Sequence, residues 1–205
     1  MTTTRTPRLG RFATCAALTL AVAGGLTGCG SGDTPGPDVN IKNAATAPAK
    51  ETAPPMTASP PKRLQIPSAD VDAGPFVPLE VDGSGELGVP PVSKAEQPGW
   101  WTKSPTPGAK GASIIVAHYD TKNGPALMKN VKNIKVGDVI KVLREDGSTA
   151  TFKIRERQQV KKDAFPTQKV YGDTDRPELR LLTCGGEIVD GHRSANIIFY
   201  ADLVK

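Results

Sequence analysis

Cysteine and histidine are scarce in this chain. Its 205 residues include three cysteines, at positions 15, 29 and 184, and two histidines. They form no CxxC pair and no Cys/His cluster with the spacing of metal ligands, so a zinc site is disfavoured. Acidic residues form no cluster of the kind that binds calcium. The sequence therefore predicts neither a metal ion nor a cofactor.

A strong basic charge is also missing once the N-terminus is set aside. The formal net charge is +5, but no acidic residue precedes Asp33. Three arginines lie within residues 1–28, and the rest of the chain has 23 basic against 21 acidic residues. Aromatic residues make up only 5% of the chain, and they do not interleave with a basic stripe. Nucleic-acid binding is therefore not expected.

The first 28 residues have the layout of a secretory signal peptide. Three arginines precede an uncharged, mostly apolar stretch at 12–32. Within it, Leu26-Thr27-Gly28-Cys29 resembles the bacterial lipobox, in which the cysteine is lipidated and the acyl chains hold the protein on the membrane. Two alternatives stay open, a retained transmembrane anchor and an ordinary cleaved signal. All three predict an extracytoplasmic location, and the first two predict a membrane-anchored protein facing the cell wall.

The remainder divides into a linker and one domain. Residues 29–60 are rich in Pro, Ala and Thr and poor in large apolar residues, which predicts a disordered linker. Residues 61–205 are long enough to bury a core, and we interpret them as one folded domain.

The sequence of this domain predicts mostly β-strands. A hairpin is predicted from strands at 138–143 and 149–155 around Asp146-Gly147, because Phe152 and Ile154 alternate with polar residues. Further strands are predicted at 63–66, 71–77, 88–92, 112–117, 179–183 and 196–203, and a short helix at 125–132. Many short strands with Gly/Pro turns indicate an all-β barrel or sandwich.

Cys184 is the only cysteine of the predicted domain. It closes the apolar run 179–183 and is followed by Gly185-Gly186. A thiol outside the cytoplasm without a disulfide partner favours nucleophilic chemistry. His118 ends another apolar run and Arg193 follows Cys184 by nine residues, so all three are candidate catalytic residues.

Several motifs occur in a fixed order from residue 61 to the C-terminus. They are Arg63-Leu64-Gln65-Ile66-Pro67, Val89-Pro90-Pro91, Gly99-Trp100-Trp101, Ile114-Ile115-Val116-Ala117-His118-Tyr119-Asp120, Lys162-Asp163-Ala164-Phe165-Pro166-Thr167, Leu181-Leu182-Thr183-Cys184-Gly185-Gly186, and Arg193 with Asn196. In this order they resemble bacterial sortases, most closely the class E/F type of actinobacteria.

The resemblance implies a closed eight-stranded β-barrel with one or two short helices, and a cysteine transpeptidase. Sortases cut protein substrates at a C-terminal sorting signal of the LPxTG kind, between Thr and Gly, and pass the acyl group to an amine, usually of a cell-wall precursor. The resemblance further implies a thioacyl intermediate on Cys184, acid and base catalysis by His118, and hydrogen bonds from Arg193 to the oxyanion or to the substrate backbone.

Three neighbouring residues are candidates for substrate binding. Thr183 precedes the predicted nucleophile, and Tyr119 and Asp120 follow the predicted acid. Tyr119 stands where the family often has Val and would narrow the pocket, whereas Asp120 alternatively orients His118 or caps the turn at 120–124. Two rival groups, an arginine and a histidine, could take the same roles. Arg180 is expected to face away from Cys184, and His192 is expected to be exposed.

Two other functions fit the same residues. One is a hydrolytic cysteine peptidase, which would pass the acyl group to water. Its residues are the same as those of a transpeptidase, so the sequence does not separate the two. The other is a catalytically silent, peptide-binding lipoprotein, which the intact Cys/His/Arg set disfavours.

Overall fold

A computed structural model describes the backbone of residues 43–44, and residues 52–189 and 191–205 in full. The predicted signal peptide, the lipidation site Cys29 and most of the predicted linker lie outside the described residues. Within those residues, no helix has both the length and the apolar character that crossing a membrane requires.

Strands dominate the described residues. They are β1 (Asn43–Ala44), β2 (Pro61–Ile66), β3 (Val71–Ala73), β4 (Val77–Leu79), β5 (Gly99–Trp101), β6 (Gly111–Val116), β7 (Asp120–Thr121), β8 (Gly124–Pro125), β9 (Val139–Arg144), β10 (Thr149–Lys161), β11 (Pro177–Val189) and β12 (His192–Leu203). One short α-helix, α1 (Thr167–Tyr171), and four 3-10 helices at Pro67–Ala69, Val92–Lys94, Val131–Asn133 and Lys162–Ala164 complete them. The prediction of a mostly β domain with few helices is confirmed.

Ten strands form one sheet, in the order β3-β2-β9-β10-β12-β11-β6-β5-β4, with β1 added on β10. The end strands β3 and β4 are not paired with each other, so the described sheet is a curled half-barrel, and the closed eight-stranded barrel is not found. The sequence could not reveal this, because alternation predicts which face of a strand is buried but not which edges of distant strands pair.

Strand β11 is buried on both faces from Pro177 to Thr183. Leu179 and Leu181 belong to the larger apolar cluster, which also contains Phe152 and Phe199. Leu182 points to the opposite face and joins a smaller apolar cluster there. This two-sided burial explains why the segment before Cys184 does not alternate between apolar and polar residues, since a strand covered on both faces has no solvent-facing side.

The predicted hairpin forms as β9 and β10. Gly147 in its turn has a φ of +84°, which glycine adopts without steric cost. Phe152 and Ile154 are buried, whereas Lys153 between them is exposed. The short helix predicted at 125–132 is wrong. The segment begins in β8 and continues through turns into the 3-10 helix Val131–Asn133, because the Ala126 and Met128 amides donate to the Tyr119 and His118 carbonyls.

The end of the predicted linker packs on the domain. We call residues 53–59 the N-terminal strap. The Ala53 amide donates to the Leu203 carbonyl at 3.0 Å, and the Met56 amide donates to the Gly108 carbonyl at 2.8 Å. The buried Arg144 guanidinium donates to the Thr57 carbonyl. The prediction of disorder is therefore wrong for this part of the linker, whose few anchoring residues are too sparse to register as an apolar pattern.

Candidate active site

The parallel pairing of β6 and β11 brings His118 and Cys184 to the same end of the paired strands. The two strands are parallel neighbours, with Val116 opposite Leu182, and the Ala117 amide donates to the Leu182 carbonyl at 3.0 Å. His118 and Cys184 each follow this pair by two residues. Because side chains alternate along a strand, Cys184 lies on the same face as Leu182, which is the face of the smaller apolar cluster. The register therefore brings the backbones of His118 and Cys184 to the same end of the paired strands.

The His118 ring is held by a backbone group. Its Nε2 atom lies 2.6 Å from the Pro90 carbonyl oxygen. A carbonyl only accepts, so Nε2 carries the hydrogen, and in the neutral ring Nδ1 is left with the lone pair. The sequence did not reveal this contact, because any residue could supply the acceptor and Pro90 lies in a segment predicted, wrongly, to be a strand.

Cys184 is partly buried and is the free cysteine of the described residues. Burial raises the pKa of its thiol above the ordinary value, and the Asp120 carboxylate acts in the same direction. The Lys162 ammonium and the Arg193 guanidinium act to lower the thiol pKa, but burial outweighs them. At neutral pH the resting sulfur is therefore mostly protonated, and it needs a base before it can attack.

Two glycines next to the thiol let the backbone change direction. The register of β11 and β12 shifts between Gly185 and Ile188, which marks a bulge. A Cβ at Gly185 would lie 2.6 Å from Ile197 Cγ1, so only glycine fits this approach. Gly186 has a φ of +74°. Beyond the bulge, Arg193 pairs with Ile188, so the hairpin returns the guanidinium toward the thiol.

The Arg193 guanidinium is held in place by Asp120 and by the Gly186 carbonyl. Its Nε and Nη2 atoms donate to Asp120 Oδ2 at 3.0 and 2.5 Å, and Nη1 donates to the Gly186 carbonyl at 2.8 Å. Its Cζ lies 4.6 Å from the centre of the Tyr119 ring. The structure thus places two of the three residues predicted to bind substrate, Tyr119 and Asp120, against Arg193. In the turn that follows, the Asn123 amide donates to Thr121 Oγ1.

Thr183 is almost completely buried, with 3% of its surface exposed. Alternation along β11 places it on the face of Leu181, opposite to Cys184. Its Oγ1 atom has no hydrogen-bond partner among the described residues. A role in substrate binding stays a prediction, and the side chain does not lie on the thiol's side of the strand.

The rival groups are accounted for by other contacts. His192 is exposed, as predicted. Arg180 was expected to face away from Cys184, but alternation puts both on one face, about 13 Å apart along the strand. There Arg180 is buried and ion-paired with Glu178. Its guanidinium is thus committed to a separate charge network.

Comparison with protein-family models matches residues 64–204 to the sortase domain. Comparison with curated proteins gives no match. A lid mutant of sortase A from Corynebacterium diphtheriae is similar, with 19% identity, a TM-score of 0.54, and coverage of 73% of each chain. Sortase C-1 from Actinomyces oris has 21% identity and a TM-score of 0.54, over 70% of this chain and 73% of its own. A sortase D5 transpeptidase from Clostridium perfringens has 18% identity and a TM-score of 0.51, over 70% of this chain and 78% of its own.

At these identities the solved structures show the shared fold. The family model adds the assignment, because it spans well over half of the chain and includes the ends of β6 and β11 together with Arg193. The chain belongs to the sortase family, whose members are cysteine transpeptidases.

Proposed function

We propose that this protein is an extracytoplasmic cysteine transpeptidase of the class E/F type, acting on an LPxTG-like sorting signal. The observation that supports it most is the convergence of three chemically suited side chains. The parallel pairing of β6 and β11 stops two residues before His118 and Cys184, and the bulged hairpin returns Arg193 to the same place.

The first half of the reaction forms a thioacyl enzyme. The thiol proton passes from Cys184 to Nδ1 of His118, since Nε2 already bears a hydrogen bonded to Pro90. The thiolate then attacks the carbonyl carbon of the signal's Thr. The imidazolium gives its proton to the departing glycine amine as the C–N bond breaks, which leaves the acyl group on sulfur and His118 neutral.

The second half transfers the acyl group to an amine. The amine attacks the thioester carbonyl and gives a proton to His118, and the departing thiolate recovers that proton. In both halves a negative oxygen forms at the tetrahedral carbon. Arg193 has five N–H donors, three of which are directed at Asp120 and Gly186, so two remain for that oxygen.

The location is proposed from the N-terminal sequence. The basic start, the apolar stretch and the lipobox-like Leu26-Thr27-Gly28-Cys29 support export and a lipid anchor on Cys29. The acceptor would then be an amine of a cell-wall precursor, within reach of a domain tethered to the outer face of the membrane.

The test is a mass-spectrometric assay with a small library of LPxTG- and LAxTG-type peptides, with and without candidate amines. The expected result is an amide product that requires the amine. Cys184→Ala and His118→Ala should abolish it while keeping the fold by circular dichroism. Arg193→Lys should lose most activity, because an ammonium lacks the planar fork of donors.

Two results would contradict the proposal. Cleavage that proceeds equally well without any amine would indicate a hydrolytic peptidase. No cleavage of any peptide, together with unreactive Cys184, would indicate a silent, peptide-binding lipoprotein.

A further inference from the structure

The guanidinium of Arg193 is restrained on three sides. Asp120 Oδ2 accepts from Nε and Nη2, the Gly186 carbonyl accepts from Nη1, and Cζ lies over the Tyr119 ring, 4.6 Å from the ring centre. Two of these partners, Tyr119 and Asp120, directly follow His118 in the chain. The segment that presents the acid therefore also contacts the arginine contributed by β12.

We infer that Asp120 and Tyr119 are positioning residues, which hold Arg193 so that its two remaining N–H groups can meet the oxyanion. This inference rests on the proposed function. An arginine side chain has several rotatable bonds, and its free motion would have to be lost in the transition state. A donor fixed in advance stabilises a developing charge without that cost. Asp120 fixes the edge of the guanidinium, and Tyr119 supports its face.

Asp120 also sets the charge around the sulfur. The charged groups that act on the pKa of the thiol are Lys162 after β10, Asp120 on β7 and Arg193 on β12, and the titratable His118 follows β6. The Asp120 carboxylate offsets the Arg193 cation. Removing it leaves two cations near Cys184 without their counterion, which favours the thiolate. Positioning and charge thus predict opposite effects on transfer and on simple thiol reactivity.

The test compares Asp120→Ala, Asp120→Asn and Asp120→Glu in the full chain. We expect Asp120→Ala to lower kcat for transfer about tenfold to a hundredfold, with little change in KM, because it removes hydrogen bonds to a charged group. Asp120→Asn keeps an acceptor oxygen and should lie between Ala and the parent. Asp120→Glu restores the carboxylate and should recover part of the rate.

The second readout is alkylation of Cys184 by iodoacetamide at pH 7. It should be faster in Asp120→Ala and Asp120→Asn than in the parent, although transfer is slower. If Asp120 had only a structural role, its replacement would disturb the site and slow both transfer and alkylation. Asp72→Ala is the matched control, since Asp72 also accepts from an arginine, Arg63, but on β3 at one end of the sheet. It should change neither readout.

Tyr119 is tested by ring chemistry. Tyr119→Phe keeps the face under the guanidinium and should transfer at nearly the parent rate, whereas Tyr119→Leu should be slower by about threefold. Equal rates for the two variants would remove Tyr119 from the inference.

The inference is overturned if Asp120→Ala keeps kcat within about twofold of the parent, or if its transfer and alkylation rates fall together. The failure of the proposed function looks different, because then the unsubstituted protein would show no amine-dependent product at all.

Discussion

The sulfur of Cys184 is surrounded by opposing influences from separate parts of the chain. Burial raises the thiol pKa, and the Lys162 ammonium is the foremost group acting to lower it. Lys162 begins the 3-10 helix that follows β10, and its side chain is exposed. We therefore expect this exposed lysine to lower the pKa of the thiol through its charge.

The prediction at this scale concerns Lys162→Met. Losing the cation should raise the thiol pKa further, so less thiolate is present at any given pH, and the pH profile of iodoacetamide alkylation should shift to higher pH. Salt should shrink the difference from the parent, because the charge is exposed and screened. Lys161→Met removes the adjacent lysine and serves as the control. Matching profiles for the two variants would contradict a specific effect of Lys162.

At the scale of elements, the β11–β12 hairpin links the nucleophile to the arginine. Its bulge at Gly185–Gly186 interrupts the ladder between Cys184 and Arg193, and the Gly186 carbonyl accepts from Arg193 Nη1. A Cβ at Gly186 would lie 2.9 Å from Ala195 Cβ and 3.2 Å from the Ala195 backbone nitrogen. The backbone there cannot easily move aside, so this glycine sets the shape of the bulge.

Gly186→Ala should both destabilise the domain and slow transfer. The matched control is Gly191→Ala, because Gly191 has a similar φ of +78° but no atom near its missing Cβ. The control should cost about 1–2 kcal/mol from the backbone conformation alone, and Gly186→Ala should cost more. Thermal unfolding and the transfer assay measure the two effects. A Gly186→Ala protein that is as stable and active as Gly191→Ala would show that the bulge tolerates a side chain.

At the scale of the whole molecule, the N-terminal strap ties together distant parts of the domain. Its amides reach carbonyls before β6 and at the end of β12, and its Thr57 carbonyl accepts from Arg144 on β9. Arg144 is 1% exposed, so its guanidinium would lose an acceptor in a setting where water hardly reaches it. The contact at Gly108 lies at the start of β6, the end of that strand away from His118.

Deleting residues 1–60 should therefore destabilise the domain relative to deleting residues 1–51, which keeps the strap. We expect a loss of roughly 3 kcal/mol, which corresponds to a Tm lower by about 6–12 °C. Calorimetry on both variants measures it. Transfer by the folded protein at 25 °C should be similar in the two, because the strap contacts the far end of β6. Equal melting temperatures would mean that the strap contributes no stability.

The main features of the site could be predicted from the sequence. Cys184 and His118 each end an apolar run, and runs of this kind form strands. The sequence could therefore predict that two strands carry these residues to the same part of the sheet. The Asp120–Arg193 contact was not, because the two residues are 73 positions apart and only the folded hairpin brings them together. The same holds for His118 and Pro90, since a backbone carbonyl leaves no trace in residue type.

The edges of the fold were the least predictable part. β3 and β4 have three residues each, and nothing in so short a run indicates whether the two ends of the sheet meet. The N-terminal strap was likewise hidden, because a few hydrogen bonds to backbone groups hold it, while its composition is that of the disordered linker before it.

His118 and Cys184 each follow the paired residues Val116 and Leu182 by two positions, so the site depends on the number of residues in β6 and β11. Inserting one residue between Leu179 and Cys184 would turn the sulfur toward the larger apolar cluster and put a different side chain next to the imidazole. Engineering of this domain therefore has to keep the number of residues in these two strands up to His118 and Cys184.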